Sequence, residues 1–258
     1  MHKQVVRDQM GFDVEAPIRP QAIVSLVPSQ TELLFDLGLE KLIKGVTKFC
    51  IHPHDKVSGL PKIGGTKNFN FEAIDEINPD LIIGNKEENY QEGITKLKEK
   101  YPVWMSDIST VEGALEMIKQ LGKVTGKTLE ASTLSNAIES GFAGLQKKNP
   151  KRTLYLIWRN PYMVAGKETF IDEMLSHIGL ENAAKENRYP ELSPSEIKAF
   201  DPQLILLSSE PYPFKAKHFD EFTDLCPKAD IRIVDGEMFS WYGSRLLKAP
   251  AYLNSLSF

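Results

Sequence analysis

The middle of the chain predicts helices that separate two halves of similar pattern. Residues 110–148 carry apolar side chains at helical spacing in two runs, with Gly122 and Gly126 between the runs. The first run predicts a short helix. The second, which begins at Lys127, predicts one long helix of about 30 Å that Pro150 ends, because proline continues a helix poorly. The apolar residues of this second run are Leu129, Leu134, Ile138, Phe142 and Leu145. A helix of this length favours two lobes joined by a helical connection.

On both sides of these helices, buried strands alternate with helices. Such alternation predicts mostly parallel sheets, since two parallel neighbours need a helical crossover between them. The apolar runs that predict strands are residues 22–27, 80–84, 103–105, 154–158, 204–207 and 231–234. The predicted fold is therefore α/β, with two Rossmann-like lobes of mostly parallel sheet joined by one long backbone helix. The predicted domains are an N-terminal lobe at 1–109 that begins with an arm at 1–20, connecting helices at 110–149 and a C-terminal lobe at 150–258.

Two pairs of segments indicate an internal repeat. Residues 34–40 (LFDLGLE) parallel residues 175–181 (LSHIGLE), and residues 72–83 parallel residues 195–206. The pairs keep the same order in both halves, which favours a repeated strand–helix unit. Chance similarity is the alternative, because strand–helix units draw on a small vocabulary of turn residues.

The composition argues against several classes of protein. The 258 residues carry a net charge of −4, whereas nucleic-acid binding calls for clustered Lys and Arg. No apolar run approaches the roughly 20 residues of a membrane span, and no signal peptide is visible. The protein is expected to be periplasmic or otherwise extracytoplasmic if an export signal was removed, and cytoplasmic if none existed. Cys50 and Cys226 lie in opposite halves and are expected to be separate thiols.

The loop that contains Cys50-x-His52-x-His54 is the nearest approach to a metal site, and the common enzyme motifs are absent from the sequence. His52 and His54 would point to opposite sides of an extended chain, which disfavours a dedicated zinc site. Two interpretations remain. Either one histidine of this loop reaches a metal carried by a ligand, or the histidines make only local hydrogen bonds.

Aromatic residues gather near the ends of predicted strands, where α/β proteins bind ligands. These residues are Phe49, Phe69, Phe71, Trp158, Tyr162, Tyr189, Tyr212, Phe239, Trp241 and Tyr242. Aromatic walls would hold a large, flat ligand in a cleft between the lobes. The alternative is that half of them belong to the cores, with Trp158 and Phe239 the strongest core candidates. Tyr162, Tyr189 and Trp241 are expected to face the cleft.

Glu72 and Glu196 each open a short helix at an equivalent place in the two halves. A carboxylate near a helix N-terminus stabilises the helix by about 0.3–1 kcal/mol, which is a sufficient reason for both. The functional interpretation is a pair of exposed carboxylates suited to bidentate arginines on a partner protein.

An ordered set of short motifs resembles the substrate-binding proteins of ABC importers for cobalamin and ferric siderophores. These are class III periplasmic binding proteins with a helical backbone. The motifs are IVSLVPSQTELL at 23–34, GVTxxCxHP at 45–53, IGG at 63–65, NFExI at 70–74, NPDLI at 78–82, YPELS at 189–193 and DP at 201–202. The resemblance covers residues 20–256 and is closest to the cobalamin-binding branch.

The resemblance implies two lobes bridged by a long helix, little hinge motion, a ligand in the cleft and acidic residues that dock on permease arginines. Glu72 matches the first docking position. At the second position this sequence has Ser195, with Glu196 one residue further on. Tyr189 matches an aromatic that lines the cleft, and Lys67 stands where the branch has an aromatic beside the corrin.

We therefore expect a binding protein, not an enzyme, that captures a metal-chelate nutrient and delivers it to an ABC permease dimer. It needs no intrinsic cofactor, and its expected ligand is cobalamin or a related corrinoid, with a ferric chelate next. The expected ligand-binding residues are Phe49, His52, Lys67, Phe69, Trp158, Tyr189 and Trp241.

Metal coordination and docking are expected of three residues, and two other functions of the protein remain open. His52 is also expected to coordinate the metal of the ligand, while Glu72 and Glu196 are expected to dock on the permease. The protein is expected to be a monomer without a nucleic-acid partner or a transmembrane segment. The alternatives are a chelatase-like enzyme and a cytoplasmic protein that carries a tetrapyrrole.

Overall fold

The computed structural model describes residues 2–258, which form two compact units. Unit 1 contains the chain up to Ile108, Glu112–Glu139 and Tyr242–Leu247, and unit 2 contains Ser109–Val111, Ser140–Trp241 and Lys248–Phe258. We call Tyr242–Leu247 the return segment. The sequence placed it in the C-terminal lobe, whereas it packs within unit 1. Elsewhere the predicted domain bounds stay a prediction.

Unit 1 contains eight strands and the first helices of the described chain. The strands are β1 (Lys3–Arg7), β2 (Asp13–Pro17), β3 (Ile23–Ser25), β4 (Ile43–Val46), β5 (Gly64–Gly65), β6 (Asn68–Phe69), β7 (Leu81–Asn85) and β8 (Val103–Ser106). The helices are α1 (Pro28–Asp36), α2 (His54–Val57), α3 (Phe71–Ile77), α4 (Gln91–Lys98), α5 (Val111–Thr125) and α6 (Thr128–Ala143). The predicted arm at 1–20 forms the antiparallel hairpin β1–β2.

The main sheet of unit 1 has the strand order β4–β3–β7–β8, with all neighbours parallel. Its register pairs Ile23 with both Ile43 and Leu81. Every residue of β7 and β8 is buried. Such continuous burial is typical of parallel strands covered on both faces, and it explains why these strands were visible as apolar runs.

Unit 2 is built around a second, mostly parallel sheet. Its strands are β9 (Arg152–Trp158), β10 (Tyr162–Val164), β11 (Glu181–Asn182), β12 (Glu191–Leu192), β13 (Leu204–Ser208) and β14 (Asp230–Val234). The order is β12–β10–β9–β13–β14, with β11 also paired to β9. Strands β9, β11, β13 and β14 run parallel, whereas at one edge β10 pairs antiparallel with both β9 and β12.

The helices of unit 2 follow these strands in the alternation that the sequence predicted. They are α7 (Phe170–His177), α8 (Pro194–Ala199), α9 (Phe219–Leu225), α10 (Glu237–Ser240) and α11 (Ala249–Ser255). Leu154, Leu156, Ile205 and Leu207 from the central strands and Phe222 from α9 are in the core. The predicted fold class of two α/β lobes with mostly parallel sheets is confirmed.

The prediction of a short helix followed by a long one is wrong, because α5 has 15 residues and α6 has 16. Helix α6 is about 24 Å long and ends at Ala143, well before Pro150. Leu129 is exposed, and the last residue of α6 that packs in a core is Phe142. No residue from Ala143 to Arg152 is buried, so no packing would stabilise a longer helix. The boundary between the units lies between Glu139 and Ser140, so α6 does connect them.

The local backbone supports the internal repeat. Helices α1 and α7 both end at a glycine in the left-handed region, Gly38 with φ 74° and Gly179 with φ 83°. At each end a leucine N–H donates back five residues, at 3.0 Å, which is the hydrogen bond of a Schellman motif. Asn78 and Asp201, which precede Pro79 and Pro202, also have positive φ, 48° and 44°.

Two further observations bear on the predictions. No helix among residues 2–258 has both the length and the apolar character that crossing a membrane demands. Cys50 and Cys226 are both buried free thiols, as predicted.

Unit 1 also has an open groove of about 710 Å³ at the amino-terminal ends of β3 and β4. Its lining includes Arg19, Gln21, Phe35, Leu42 and Lys127, and none of the predicted ligand residues. The groove lies at the edge of the sheet opposite to the loops in which ligand binding is expected.

Candidate ligand-binding site

The carboxyl edge of the unit 1 sheet contains a buried network of amide and hydroxyl side chains. Gln30 Nε2 donates to Ser106 Oγ at 2.6 Å, and Asn85 Nδ2 donates to the same oxygen at 2.9 Å. Asn89 continues the network, because its Oδ1 accepts from the Asn85 N–H and its Nδ2 donates to the Thr66 carbonyl. These bonds fix the loops that follow β7 and β8 and hold the β5–β6 hairpin against them.

Phe49 is the exposed aromatic ring of this edge. It follows β4, and 51% of its surface is accessible. The ring lies against Gly65, since a Cβ built on that glycine would be 3.2 Å from Phe49 Cε2. Lys48 Nζ is 5.1 Å from the ring centroid, within cation–π range. Gly65 thus allows the hairpin to approach the Phe49 ring closely, while about half of the Phe49 surface stays accessible.

Phe69 and Lys67, both on or beside the β5–β6 hairpin, have different environments. Phe69 is buried, and its ring centroid is 4.8 Å from that of Tyr90 and 6.3 Å from that of Phe71. This packing places Phe69 beneath the hairpin, and its expected contact with a ligand stays a prediction. Lys67 is exposed, and its Nζ donates to the Glu87 carbonyl at 2.7 Å.

In the loop from Cys50 to His54, the cysteine and the two histidines differ in burial and in contacts. Cys50 is buried, and its Sγ lies 3.1 Å from Thr31 Oγ1 and 3.2 Å from Thr47 Oγ1. Burial raises the pKa of the Cys50 thiol, which disfavours the thiolate that a metal requires. Within residues 2–258, no three His, Cys, Asp or Glu side chains converge as a metal site. His52 is half-buried and His54 is exposed at the start of α2.

Trp158 is the exposed aromatic ring at the carboxyl end of β9 in unit 2. It is 40% accessible and makes an edge contact with Tyr212, at 5.8 Å between ring centroids. Tyr212 is held in turn by Phe214, at 4.7 Å, and by His218 Nε2, 3.4 Å from its hydroxyl. The sequence had made Trp158 a core candidate as well as a ligand residue, and its exposure favours the second role.

A charged group adjoins this aromatic cluster. Arg159 Nε donates to both oxygens of Glu221, at 2.8 Å and 3.2 Å, and the Tyr162 hydroxyl donates to the same carboxylate. The hydrogen bond to Glu221 raises the pKa of Arg159. Burial, together with the bond to Glu221, raises the pKa of Tyr162 to about 12. At neutral pH the group therefore consists of a guanidinium, a carboxylate and a neutral phenol.

Trp241 and Tyr189 occupy the remaining predicted positions in unit 2. Trp241 is buried, and its Nε1 donates to Glu210 Oε1 at 2.8 Å. Trp241 is therefore anchored within unit 2, and its expected contact with a ligand stays a prediction. Tyr189 is half-buried and precedes Pro190, whose carbonyl accepts from the Val164 N–H of β10.

Glu210, which follows β13, has a carboxyl group with a raised pKa. Burial raises its pKa, and hydrogen bonds from Ser240 and Trp241 offset part of that effect. The nearby carboxylates of Glu237 and Asp235 raise the pKa further. Burying a carboxylate favours its neutral form, so this group titrates above the ordinary range.

The two predicted docking carboxylates are both exposed but differ in their hydrogen bonds. Glu72 is exposed at the second position of α3, a helix capped by the Asn70 side chain. Glu196 is exposed at the third position of α8, where its Oε2 accepts from the Ser193 N–H and Oγ in a capping box. These bonds lower the pKa of Glu196. Ser195, not Glu196, occupies the helix position that corresponds to Glu72.

Sequence reasoning missed the residues whose partners are remote in the chain. Arg159 and Glu221 are 62 positions apart, and no local pattern marks either as half of a pair. The only signal for Arg159 was its place directly after a strand, beside an aromatic residue. Gly65, which the sequence shows only as part of the IGG motif, also contacts the Phe49 ring.

Comparison with known proteins identifies the family. Residues 23–224 match the sequence model of the family described as "Periplasmic binding protein". The chain belongs to this periplasmic binding protein family. Membership confirms that it is a binding protein, and the chelatase-like alternative is not favoured.

Relatives of the periplasmic binding protein family cover nearly the whole chain. An uncharacterized ABC transporter substrate-binding lipoprotein, YvrC of Bacillus subtilis, is 24% identical, covering 94% of this chain and 82% of its own. The vitamin B12-binding protein of Salmonella typhimurium is also 24% identical, covering 81% and 82%. The apo periplasmic heme-binding protein RhuT of Roseiflexus sp. RS-1 has a TM-score of 0.80 and 23% identity, covering 91% of this chain and 96% of its own. The fold is that of the class III periplasmic binding proteins.

Proposed function

We propose that this chain captures a flat metal chelate, cobalamin or a related corrinoid, and delivers it to the permease dimer of an ABC importer. The observation that carries the proposal is the half-exposed Phe49 ring, seated on Gly65 at the carboxyl edge of the unit 1 sheet. A glycine under an accessible aromatic ring provides a rigid surface for stacking, at little conformational cost when a ligand binds.

Unit 2 supplies a second accessible ring of the same kind. Trp158 contacts Tyr212 and is the last residue of a central strand, at the end where α/β proteins bind ligands. Both rings lie beside packed neighbours, Gly65 for Phe49 and Tyr212 for Trp158, so they are preorganised. We propose Phe49, His52, Lys67, Trp158 and Tyr189 as ligand contacts, with Phe69 and Trp241 supporting them from within their units. The predicted cleft stays a prediction.

The choice of a corrinoid as ligand rests on similarity. The Salmonella typhimurium relative is named for vitamin B12, and the YvrC relative for an ABC transporter. The fold also accommodates heme, since RhuT is a periplasmic heme-binding protein. Heme and ferric siderophores are therefore the alternative ligands with which a corrinoid must be compared. By the same similarity we propose an extracytoplasmic location, and docking on the permease through Glu72.

The direct test is a titration of intrinsic tryptophan fluorescence with cyanocobalamin, and in parallel with hemin and a ferric siderophore. Trp104 and Trp241 are buried, so Trp158 is the tryptophan positioned to report on ligand. Because these ligands absorb light, the W158F variant and free tryptophan serve as optical controls, and equilibrium dialysis gives an independent Kd. Saturable binding of cyanocobalamin at micromolar or lower Kd supports the proposal. Binding of hemin or the siderophore alone would change the proposed ligand and keep the proposed role. If no chelate bound, the proposal would be overturned.

A further inference from the structure

We propose that Arg159 forms an anion-binding subsite beside Trp158, which recognises a phosphodiester or carboxylate group at the rim of the bound chelate. The inference rests on the proposed function and adds a source of ligand selectivity to it. It concerns residues of unit 2 alone, and the sequence analysis did not include Arg159 among the ligand residues.

Arg159 and Trp158 are neighbours in space as well as in sequence. Trp158 lies against the Tyr212 ring, and the guanidinium of Arg159 has the Tyr212 side chain as its second polar neighbour after Glu221. A ligand that stacks on Trp158 would therefore bring its rim close to the guanidinium. Arg159 is partly accessible, with 32% of its side-chain surface exposed.

The guanidinium is held in one orientation by Glu221. The carboxylate receives the Arg159 Nε–H and the Tyr162 hydroxyl, so two donors fix Glu221 and share its negative charge. Within residues 2–258 no second carboxylate accepts from the guanidinium. The Tyr212 side chain is the other hydrogen-bond neighbour of the guanidinium. The two terminal nitrogens carry four N–H groups, more than one hydroxyl accepts, so their edge can also bind the paired oxygens of a phosphate or carboxylate.

A second arginine of the same chain shows what a purely structural pair looks like. Arg245 binds Glu32 through Nε at 2.8 Å and a terminal nitrogen at 2.7 Å, a two-pronged contact in which both partners are buried. Arg159 uses Nε alone on both oxygens of Glu221. It therefore keeps its terminal edge out of the pair, at a partly exposed place next to an accessible ring.

The chemistry of the chelates fits this edge. Cobalamin carries one phosphodiester in its nucleotide loop, and heme carries two propionate carboxylates. Both present paired anionic oxygens outside a flat macrocycle. An arginine beside a stacking ring would select such ligands over uncharged analogues of the same shape.

The test compares R159Q with the matched control R152Q in ligand pairs that differ in the anionic group. Arg152 begins β9, the strand that Arg159 follows, and forms an exposed pair with Asp201, so R152Q also removes one paired arginine. The ligand pairs are cyanocobalamin with dicyanocobinamide, which lacks the phosphodiester, and hemin with its dimethyl ester. Circular dichroism establishes that each variant is folded.

We expect R159Q to raise the Kd of the preferred anionic ligand about tenfold or more. The Kd of its uncharged analogue should change by no more than about twofold. R152Q should change neither Kd. R159K keeps the positive charge but loses the paired terminal nitrogens of the guanidinium. Its Kd for the anionic ligand should therefore lie between those of wild type and R159Q. Equal affinity of wild type and R159Q for the anionic ligand would overturn the subsite while leaving the proposed function intact. Equal losses for both members of a pair would assign Arg159 a structural role. Failure of the wild-type protein to bind any chelate would overturn both proposals.

Discussion

The Glu32 carboxylate and the Arg245 guanidinium, 213 positions apart, form a two-pronged ion pair inside unit 1. Only 9% and 8% of the two side chains are accessible. Arg245 belongs to the return segment, which packs against α1. Gly243 allows this close approach, because a Cβ there would lie 2.5 Å from the Ser29 carbonyl oxygen. Tyr242 adds a hydrogen bond to Glu88 at 2.9 Å.

Removing one partner of this pair should strongly destabilise unit 1. We expect R245M to lower the free energy of unfolding by about 3–5 kcal/mol, because Glu32 would be left as a buried, unpaired charge. The double variant E32M/R245M should recover much of that loss, since neither charge remains. Chemical denaturation of the single and double variants measures both values. A double variant no more stable than R245M would show that local packing of Arg245, and not its charge, is what matters.

The Phe49 ring should contribute to ligand binding and little to stability. We expect F49A to weaken cyanocobalamin binding about tenfold, the equivalent of about 1.4 kcal/mol, because a stacking surface is lost. G65A should weaken binding several-fold with the ring still present, since the new Cβ would push against Phe49. G59A is the matched control, because a Cβ at Gly59 meets no atom within 4 Å. Unchanged affinity in F49A would remove Phe49 from the site.

Glu210 should make the stability of unit 2 depend on pH. Its folded pKa is raised above the ordinary 4.5, chiefly by burial. The stability associated with its neutral form is fully present below the unfolded pKa and is lost as the pH rises through the folded pKa. E210Q keeps an acceptor for the Trp241 Nε1–H without the charge. We therefore expect E210Q to have the higher Tm at neutral pH, with the difference vanishing near pH 4.

The pH profile has a clear contrary outcome. If E210Q were less stable than wild type by the same amount at every pH, ionisation of Glu210 would not affect stability, and burial of its charged form would not be costly. E191Q, at an exposed position of unit 2 that does not affect the Glu210 pKa, is the control for a general loss of negative charge.

His52 is expected to coordinate the cobalt of a bound corrinoid. H52A should then abolish the absorbance change that aquocobalamin shows on binding, because the imidazole replaces the bound water in the wild-type protein. H54A, with its exposed side chain in the same loop, should leave the change intact. An unchanged spectrum in H52A would exclude coordination by His52.

Glu72 is expected to dock on the permease and not on the ligand. E72R should reduce ligand-dependent stimulation of the importer's ATPase in reconstituted vesicles, because arginine would face arginine across the interface. E76R, at another exposed position of α3, is the control, and Kd for ligand should be unchanged in both variants. A lower ligand affinity in E72R would place Glu72 in the binding site instead.

The sequence was sufficient for the strands because burial on both faces leaves an unbroken apolar run, as in β7, β9 and β13. It was insufficient for individual aromatic residues. Phe49 and Phe69 both adjoin strands and turns, yet one is half exposed and the other buried, since the hairpin that separates their environments forms only in the fold.

Pairs formed across the chain were beyond the reach of a local pattern. The Glu32–Arg245 pair and the Arg159–Glu221 pair depend on how distant segments pack together, and no spacing within either segment announces them. The length of α6 was misjudged for a related reason: helix propensity continues past Phe142, but the core that would stabilise it does not.

The place of the return segment also bears on how the protein is made. Unit 1 begins at the N-terminus, yet it cannot complete its interior until Arg245 has been synthesised, near the end of the chain. While translation proceeds, Glu32 lacks its counter-ion, so the first unit to emerge from the ribosome is among the last to be finished. A fragment that stops before residue 245 would leave that carboxylate without its partner, although the fragment contains Glu32 and the whole main sheet of unit 1.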